Sequence, residues 1–205
     1  MRVRITFSKT GALRYIGHLD LNTIWERAAR RAGLPLAYTQ GFHPQPKMNF
    51  ASALPLGFSS RCEVMDIRLN EDVDLISLSV QLQNAMPSGI GIINVQSVDE
   101  HEPPLQTQII SAEYEVTLTE GMDGAKLKRK IDDVMASPSL PRQRRGKSYD
   151  LRPLIEQIEL ISENKILMQL AAREGATGRP EEVLGVLEIM LEHVRIERTN
   201  LIFGN

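Results

Sequence analysis

The sequence predicts an α+β protein made of two tandem ferredoxin-like halves, each a β-α-β-β-α-β succession. Three observations lead there. Strand-like alternation recurs at 2–7, 61–69, 109–118 and 194–203, and helix-period segments lie between these runs. A break at 101–107, with Pro103 and Pro104, divides the chain into residues 1–100 and 108–205. The length of 205 residues, 42% hydrophobic and 24% charged, suits two domains of about 100 residues each.

Each element has its own reason. Residues 2–7 alternate as a strand, and Ser8 to Gly11 carries turn chemistry. Leu21, Ile24, Trp25 and Ala28 follow i, i+3, i+4, i+7 spacing, which predicts a helix over 20–32. Asp20 is its expected N-cap, and Gly33 with Pro35 its stop. Trp25 is in phase with the apolar stripe and reads as core. Residues 34–39 and 47–52 read as short strands, and 61–69 as a longer one through Cys62, Val64, Met65 and Ile67. A second helix spans 72–85, with Val73, Ile76, Leu78, Val80 and Leu82 as its apolar face. Residues 89–98 close the first half as a strand.

In the second half, 109–118 alternates as a strand and 125–135 reads as a short basic helix. Residues 137–147 read as a polar loop, and 149–154 as a short strand. Residues 155–161 and 165–171 form two strands joined at Glu163-Asn164. Pro180 sits at a helix start with Glu181 and Glu182 in the first turn, where carboxylates oppose the helix dipole favourably. Val183, Leu184, Leu187 and Met190 are its apolar face, and 194–203 is the last strand.

The net charge of −2 conceals an uneven layout. Residues 1–61 hold nine cations against only Asp20 and Glu26. Residues 142–152 hold Arg142, Arg144, Arg145, Lys147 and Arg152 against Asp150 alone. Arginine pairs bidentately with phosphate and stacks on bases, and Tyr149 offers a ring beside it. Arg27, Arg30 and Arg31 share one helix face by i, i+3, i+4 spacing. With Lys47 and the basic loop 141–152, these are the candidate nucleic-acid contacts. Ordinary solvated charge is the alternative explanation of the same residues.

The segment from Gly41 to Gly57 is neither an amphipathic helix nor a plain strand. Gly41 can take a positive φ, while Pro44, Pro46 and Pro55 each lock φ near −65°. A rigid loop results, from which His43 and Lys47 project; Gly41, Pro44, Pro46, Pro55 and Gly57 are its structural residues. The same prolines would also serve a turn with no further role. No phosphate loop of the Walker or Rossmann type, His-Glu-x-x-His or Gly-x-Ser-x-Gly is present. His18 and Asp20, with His43, are the weak acid–base candidates, and a capping Asp beside a packing His explains the first two as well. The histidines are too dispersed for a metal site. Cys62 is the only cysteine, so these residues supply neither a disulfide nor an iron–sulfur cluster, and it reads as a buried small hydrophobe. No run approaches the ~18 apolar residues of a membrane span, and the N-terminal strand pattern contains no secretory h-region. The expected compartment is the cytoplasm.

Gly41-Phe42-His43-Pro44-Gln45-Pro46-Lys47, followed by Ala53-Leu54-Pro55-Leu56-Gly57, resembles a bacterial family of unknown function, the radical-SAM-linked (radical-SAM-associated) domain. Supporting matches are Arg4 to Lys9, Tyr15 to Asp20, Arg145-Gly146-Lys147 and Asp150 to Pro153. The resemblance covers most of the chain. It implies an accessory domain of a B12-binding radical-SAM protein, with no cofactor of its own and no transferable catalytic residues. Together with the basic segments it implies an RNA-binding module that presents tRNA or rRNA for modification. The alternatives are a docking domain that does not touch RNA, and an enzyme with a cleft between the halves.

Overall fold

The computed structural model describes residues 1–144 and 146–204 and is α+β throughout. Two compact units divide it, Met1–Gln108 and Ile109–Gly204. Among the described residues no helix is long and apolar enough to cross a membrane.

The first unit is built on β1 (Arg2–Lys9), whose Val3, Ile5 and Phe7 are fully buried on one face. A 3-10 turn over Gly11–Tyr15 leads to α1 (His18–Arg31). The helix begins two residues before the expected Asp20 cap. Gly17 holds the N-cap position, and Asp20 lies in the first turn, where its charge opposes the helix dipole favourably. Leu21, Trp25, Ala28 and Ala29 are buried, and Trp25 meets Phe7 edge-on with ring centroids 4.8 Å apart. Gly33 then stops the helix: its N–H reaches the Arg30 carbonyl, and that of Leu34 reaches Ala29.

Residues 34–39, expected as a strand, form only single bridges, Leu36 to Leu69 and Tyr38 to Pro46. Pro35 and Pro46 lack the N–H that would extend the ladder. Pairing resumes at β2 (Met48–Phe50), followed by β3 (Ser59–Arg68). α2 (Leu75–Ala85) is capped by Asp74, whose carboxylate accepts from the Ser77 amide at 2.8 Å. Its buried residues are Leu78, Leu82 and Ala85. Ile76 and Val80, expected on that face, are 78% and 56% exposed, because two residues along a helix turn a side chain to the opposite side. Gly89 starts β4 (Ile90–Val98) at φ +100, and a Cβ there would sit 2.8 Å from the Thr10 carbonyl oxygen. The sheet order in this unit is β2-β3-β1-β4, antiparallel at every step.

Beneath this order lies a buried charge cluster. Asp66 on β3 is 3% exposed and accepts from two arginines of β1. Arg2 donates Nε and Nη2 to its Oδ2 at 2.9 and 2.6 Å, and Arg4 donates Nε to its Oδ1 at 2.9 Å. Arg2 also donates to the carbonyls of Glu102 and Pro103, and Arg4 to Gln108 Oε1. The segment after β4 is thereby held against β1, up to a 3-10 turn over Leu105–Thr107.

The second unit has its own sheet. β5 (Ile109–Leu118) alternates as expected, and α3 (Gly124–Ala136) buries Leu127, Ile131 and Val134 behind an Asp123 cap. The segment expected as a basic loop is instead an antiparallel ribbon, β6 (Pro141–Arg144) with β7 (Lys147–Asp150). Arg142 faces Tyr149 and Arg144 faces Lys147 across it. Arg145 lies outside the described residues. The two four-residue strands pair in register from Pro141 opposite Asp150 to Arg144 opposite Lys147, and the apparent strand at 149–154 ends at Asp150, before a 3-10 turn over Arg152–Leu154. β8 (Ile155–Ser162), β9 (Lys165–Arg173) and the two-residue β10 (Ala176–Thr177) follow. α4 (Pro180–Val186) buries Val183 and Leu184, and Leu187 just beyond it is buried too. Met190, expected on the same face, lies beyond the helix and is exposed. β11 (Val194–Phe203) closes the unit. The order here is β8-β9-β5-β11, again antiparallel, with β10 on the end of β9.

Asp150 anchors the ribbon. Its Oδ1 accepts from the amides of Leu140 at 2.7 Å and Arg152 at 3.0 Å. Those backbone hydrogen bonds, Leu140 first, hold its carboxyl below the usual range.

Two predictions follow from these anchors. Asp66→Ala leaves two arginines without their buried partner and should cost about 3–5 kcal/mol, measured by urea unfolding; a loss under about 1 kcal/mol would show the cluster to be energetically idle. For Asp150 the folded pKa is depressed, so its contribution is present above the ordinary value near 3.9 and lost as pH falls through the lowered one. The protection of the Leu140 and Arg152 amides, taken relative to their intrinsic exchange rates, should fall in that acid range, and Asp150→Ala should show the lost protection, as quickened exchange, at neutral pH. Unchanged exchange in the variant would remove Asp150 from this role.

Candidate functional site

The Gly41 segment builds one wall of a cleft in the first unit. Thr39 and Gln45 clamp its base: the Thr39 amide donates to the Gln45 carbonyl at 2.8 Å, and the Gln45 amide to Thr39 Oγ1 at 3.0 Å. Gly41 turns the tip at φ +134, where a Cβ would be strained. Phe42, fully exposed, and His43 stand on that tip. The Lys47 amide returns to the Ala37 carbonyl, and the chain enters β2 on the edge of β3. Pro44 and Pro46 lie within this clamp, and Pro55 and Gly57 close the exit, where the Gly57 amide reaches the Arg14 carbonyl.

Phe50, at the end of β2, is the cleft's floor. It is buried, lies edge-on to Phe7, and meets the His18 ring edge-on at 5.1 Å. Around it a cleft of about 370 Å³ is lined by His18 and Asn22 of α1, Asn49 and Ser52 beside β2, and Gln106 of the 3-10 turn. Among the described residues no lysine, arginine, aspartate or glutamate lines it. The side chains of Asn22, Asn49 and Gln106 have no hydrogen-bond partner among the described residues. The structure thus brings His18 to a cleft but leaves Asp20 and His43 outside its lining, and no hydrogen bond joins His18 to Asp20 among the described residues. The three carboxamides and Phe42 escape a reading of the sequence, because nothing in the local pattern distinguishes an amide facing a cleft from one facing solvent.

The cations divide by what they already hold. Arg30 pairs with Glu26 at 2.8 Å and lies over the Tyr38 ring, and Arg31 donates to the Ala85 carbonyl at 3.2 Å. Arg27, on the same helix, is exposed, as is Lys47. In the second unit Arg152 donates to the carbonyls of Ile155 and Met135, both at 2.9 Å, which ties the end of the ribbon to α3. Arg142 reaches the Glu182 carbonyl at 3.3 Å. Lys147 is exposed and Arg144 half-buried. Burial, followed by the charge of Glu182 and a hydrogen bond to it, pushes the Tyr149 hydroxyl above its usual range. Cys62, expected buried, is only half so, with its Sγ 3.6 Å from Ser60 Oγ. Among the described residues no three His, Cys, Asp or Glu side chains gather as metal ligands.

Comparison with curated proteins finds no match. Among solved structures, a chain of a Cbf5-Nop10-Gar1 complex is similar at TM-score 0.46 and 8% identity, covering 97% of this chain and 48% of its own length. A chain of an archaeal box H/ACA sRNP Nop10-Cbf5 complex is similar at TM-score 0.45 and 11% identity, covering 97% and 47%. The present chain spans about half the length of each. Residues 2–180 match the family described as "Uncharacterized protein conserved in bacteria (DUF2344)", and the chain belongs to that family.

Proposed function

We propose that the protein is an accessory RNA-binding module, with the β6–β7 ribbon as its principal phosphate contact. One observation carries this reading. Among the described residues the ribbon pairs only with itself and carries Arg142, Arg144 and Lys147, with Arg145 beside them in the sequence, while its own carboxylate, Asp150, is occupied by two backbone amides. A ribbon of this charge suits a polyanion, since arginine grips phosphate bidentately and lysine adds a mobile point charge. Tyr149 and Arg152 serve it from behind, through Glu182 and through α3. Arg27 and Lys47 are exposed cations of the first unit that would add to phosphate binding; Arg30 and Arg31 would contribute less, being engaged within the protein.

The two strand orders, β2-β3-β1-β4 and β8-β9-β5-β11, support reading both units as ferredoxin-like halves. That fold does not by itself assign a function. The family resemblance adds the partner, a B12-binding radical-SAM protein that would perform the modification. A tagged copy of this chain should co-purify with that partner on co-expression; two proteins that elute separately would remove the partner from the reading.

Binding to total tRNA and rRNA fragments should fall steeply with salt, because each phosphate contact releases counterions. Replacing Arg144, Arg145 and Lys147 by alanine should weaken binding and lower the slope of log K against log salt by about two, for three contacts to a single strand. Equal binding by the wild type and the triple variant, or no binding near physiological salt, would overturn the ribbon as the contact.

A further inference from the structure

We infer that the cleft between α1, β2 and the Leu105–Thr107 turn binds a single unpaired nucleobase. The inference takes its biological setting from the RNA-binding reading, while its geometry is independent of the ribbon. Three features define the occupant. Among the described residues the lining has no Lys, Arg, Asp or Glu, so neither a phosphate nor a carboxylate finds a permanent counter-charge there. It presents three carboxamides, Asn22, Asn49 and Gln106, none of them engaged within the protein among the described residues. A carboxamide places a donor and an acceptor side by side, and the same paired pattern runs along the edges of nucleobases; Asn and Gln read adenine in this bidentate manner. Finally, the floor is aromatic. Phe50 is buried beneath the cleft, and the exposed His18 ring rests edge-on against it, leaving ring surface for a planar ligand. The volume of about 370 Å³ lies at the small end of ligand sites, which run from about 300 to 1,000 Å³.

The walls are rigidly supplied. Asn49 sits on β2, whose register with β3 is fixed by Met48 opposite Ile67 and Phe50 opposite Met65. Gln106 belongs to the segment that Arg2 and Arg4 hold against β1. Asn22 is on the second turn of α1, one turn beyond His18. The proline-rich segment therefore has a task beyond turning the chain: it delivers β2, and with it Asn49, to the edge of the cleft.

The test uses uncharged nucleosides, so that phosphate binding plays no part. Adenosine, cytidine, guanosine and uridine are titrated in turn into the 205-residue chain, followed by the side-chain amide signals of Asn22, Asn49 and Gln106 and the ring signals of His18. At least one nucleoside should produce saturable shifts confined to these groups, insensitive to salt. Asn49→Ala and Gln106→Ala should each weaken that affinity roughly five- to tenfold, the loss of about one or two hydrogen bonds. Both side chains are exposed, and a dispersed amide spectrum verifies that each variant is folded. No shift with any nucleoside, or equal affinity in wild type and both variants, overturns the proposal whether or not RNA binds the ribbon. Nucleoside binding at the cleft that survives the Arg144/Arg145/Lys147 alanine changes, alongside RNA binding unaffected by them, supports the cleft and overturns the ribbon alone.

Discussion

Asp66 accepts from two arginines of the neighbouring strand inside a nearly water-free part of the first unit, and much of that unit depends on the arrangement. Buried charge is tolerable only when its hydrogen bonds are satisfied. Arg2 meets that condition by donating to Asp66 and also to carbonyls of the chain after β4, and Arg4 by donating to Asp66 and Gln108. One carboxylate therefore fixes the β1–β3 register and the position of residues 99–108. Gln106, a wall of the cleft, inherits its place from this cluster, although it contacts none of the three charges in any hydrogen bond among the described residues.

The same cluster changes the meaning of the charge count. Nine cations among residues 1–61 suggest an electropositive face, but Arg2 and Arg4 are neutralised by a residue beyond that window. Lys9 is buried and donates to the Ile16 carbonyl, Arg30 is held by Glu26, and Arg31 closes on the end of α2. What is left exposed is sparser, with Arg27 and Lys47 among it. In the second unit the division falls within the ribbon and the turn after it: Arg142 and Arg152 are tied to backbone carbonyls, and Lys147 is offered to solvent. A cation's formal charge is a property of the sequence, but its availability depends on which carbonyl or carboxylate the fold brings near.

On the proposed reading, the cleft and the ribbon would divide two kinds of recognition between uncharged and charged chemistry. Carboxamides over an aromatic floor distinguish donor and acceptor patterns, while a basic ribbon responds to phosphate with little regard to base. The motif from Gly41 to Gly57 contributes residues 48–53 to the cleft lining. Its prolines and glycines set the path that brings β2 to β3, and its histidine and lysine, conspicuous in the sequence, stand outside the cleft lining.

Local periodicity settled a large share of the elements without any structure. The alternation at 109–118 and 194–203 matches β5 and β11, and the apolar spacing through Leu21, Trp25 and Ala28 marks the buried face of α1. These signals are local because burial of one face imposes its period on the sequence itself. Other features rested on partners distant in the chain. Residues 34–39 have strand-like composition, but Pro35 and the facing Pro46 each remove a ladder donor; Ile76 and Val80 are apolar yet face outward; and the basic loop pairs into a ribbon. Asn22, Asn49 and Gln106 are ordinary polar residues until three separate elements meet around Phe50. The sequence alone determined the α+β character and the buried faces, since both follow from the solvation of neighbouring residues. Only tertiary structure decided which polar groups are spent and which face the cleft, because a hydrogen bond depends on the distance between atoms that the chain brings together from far apart.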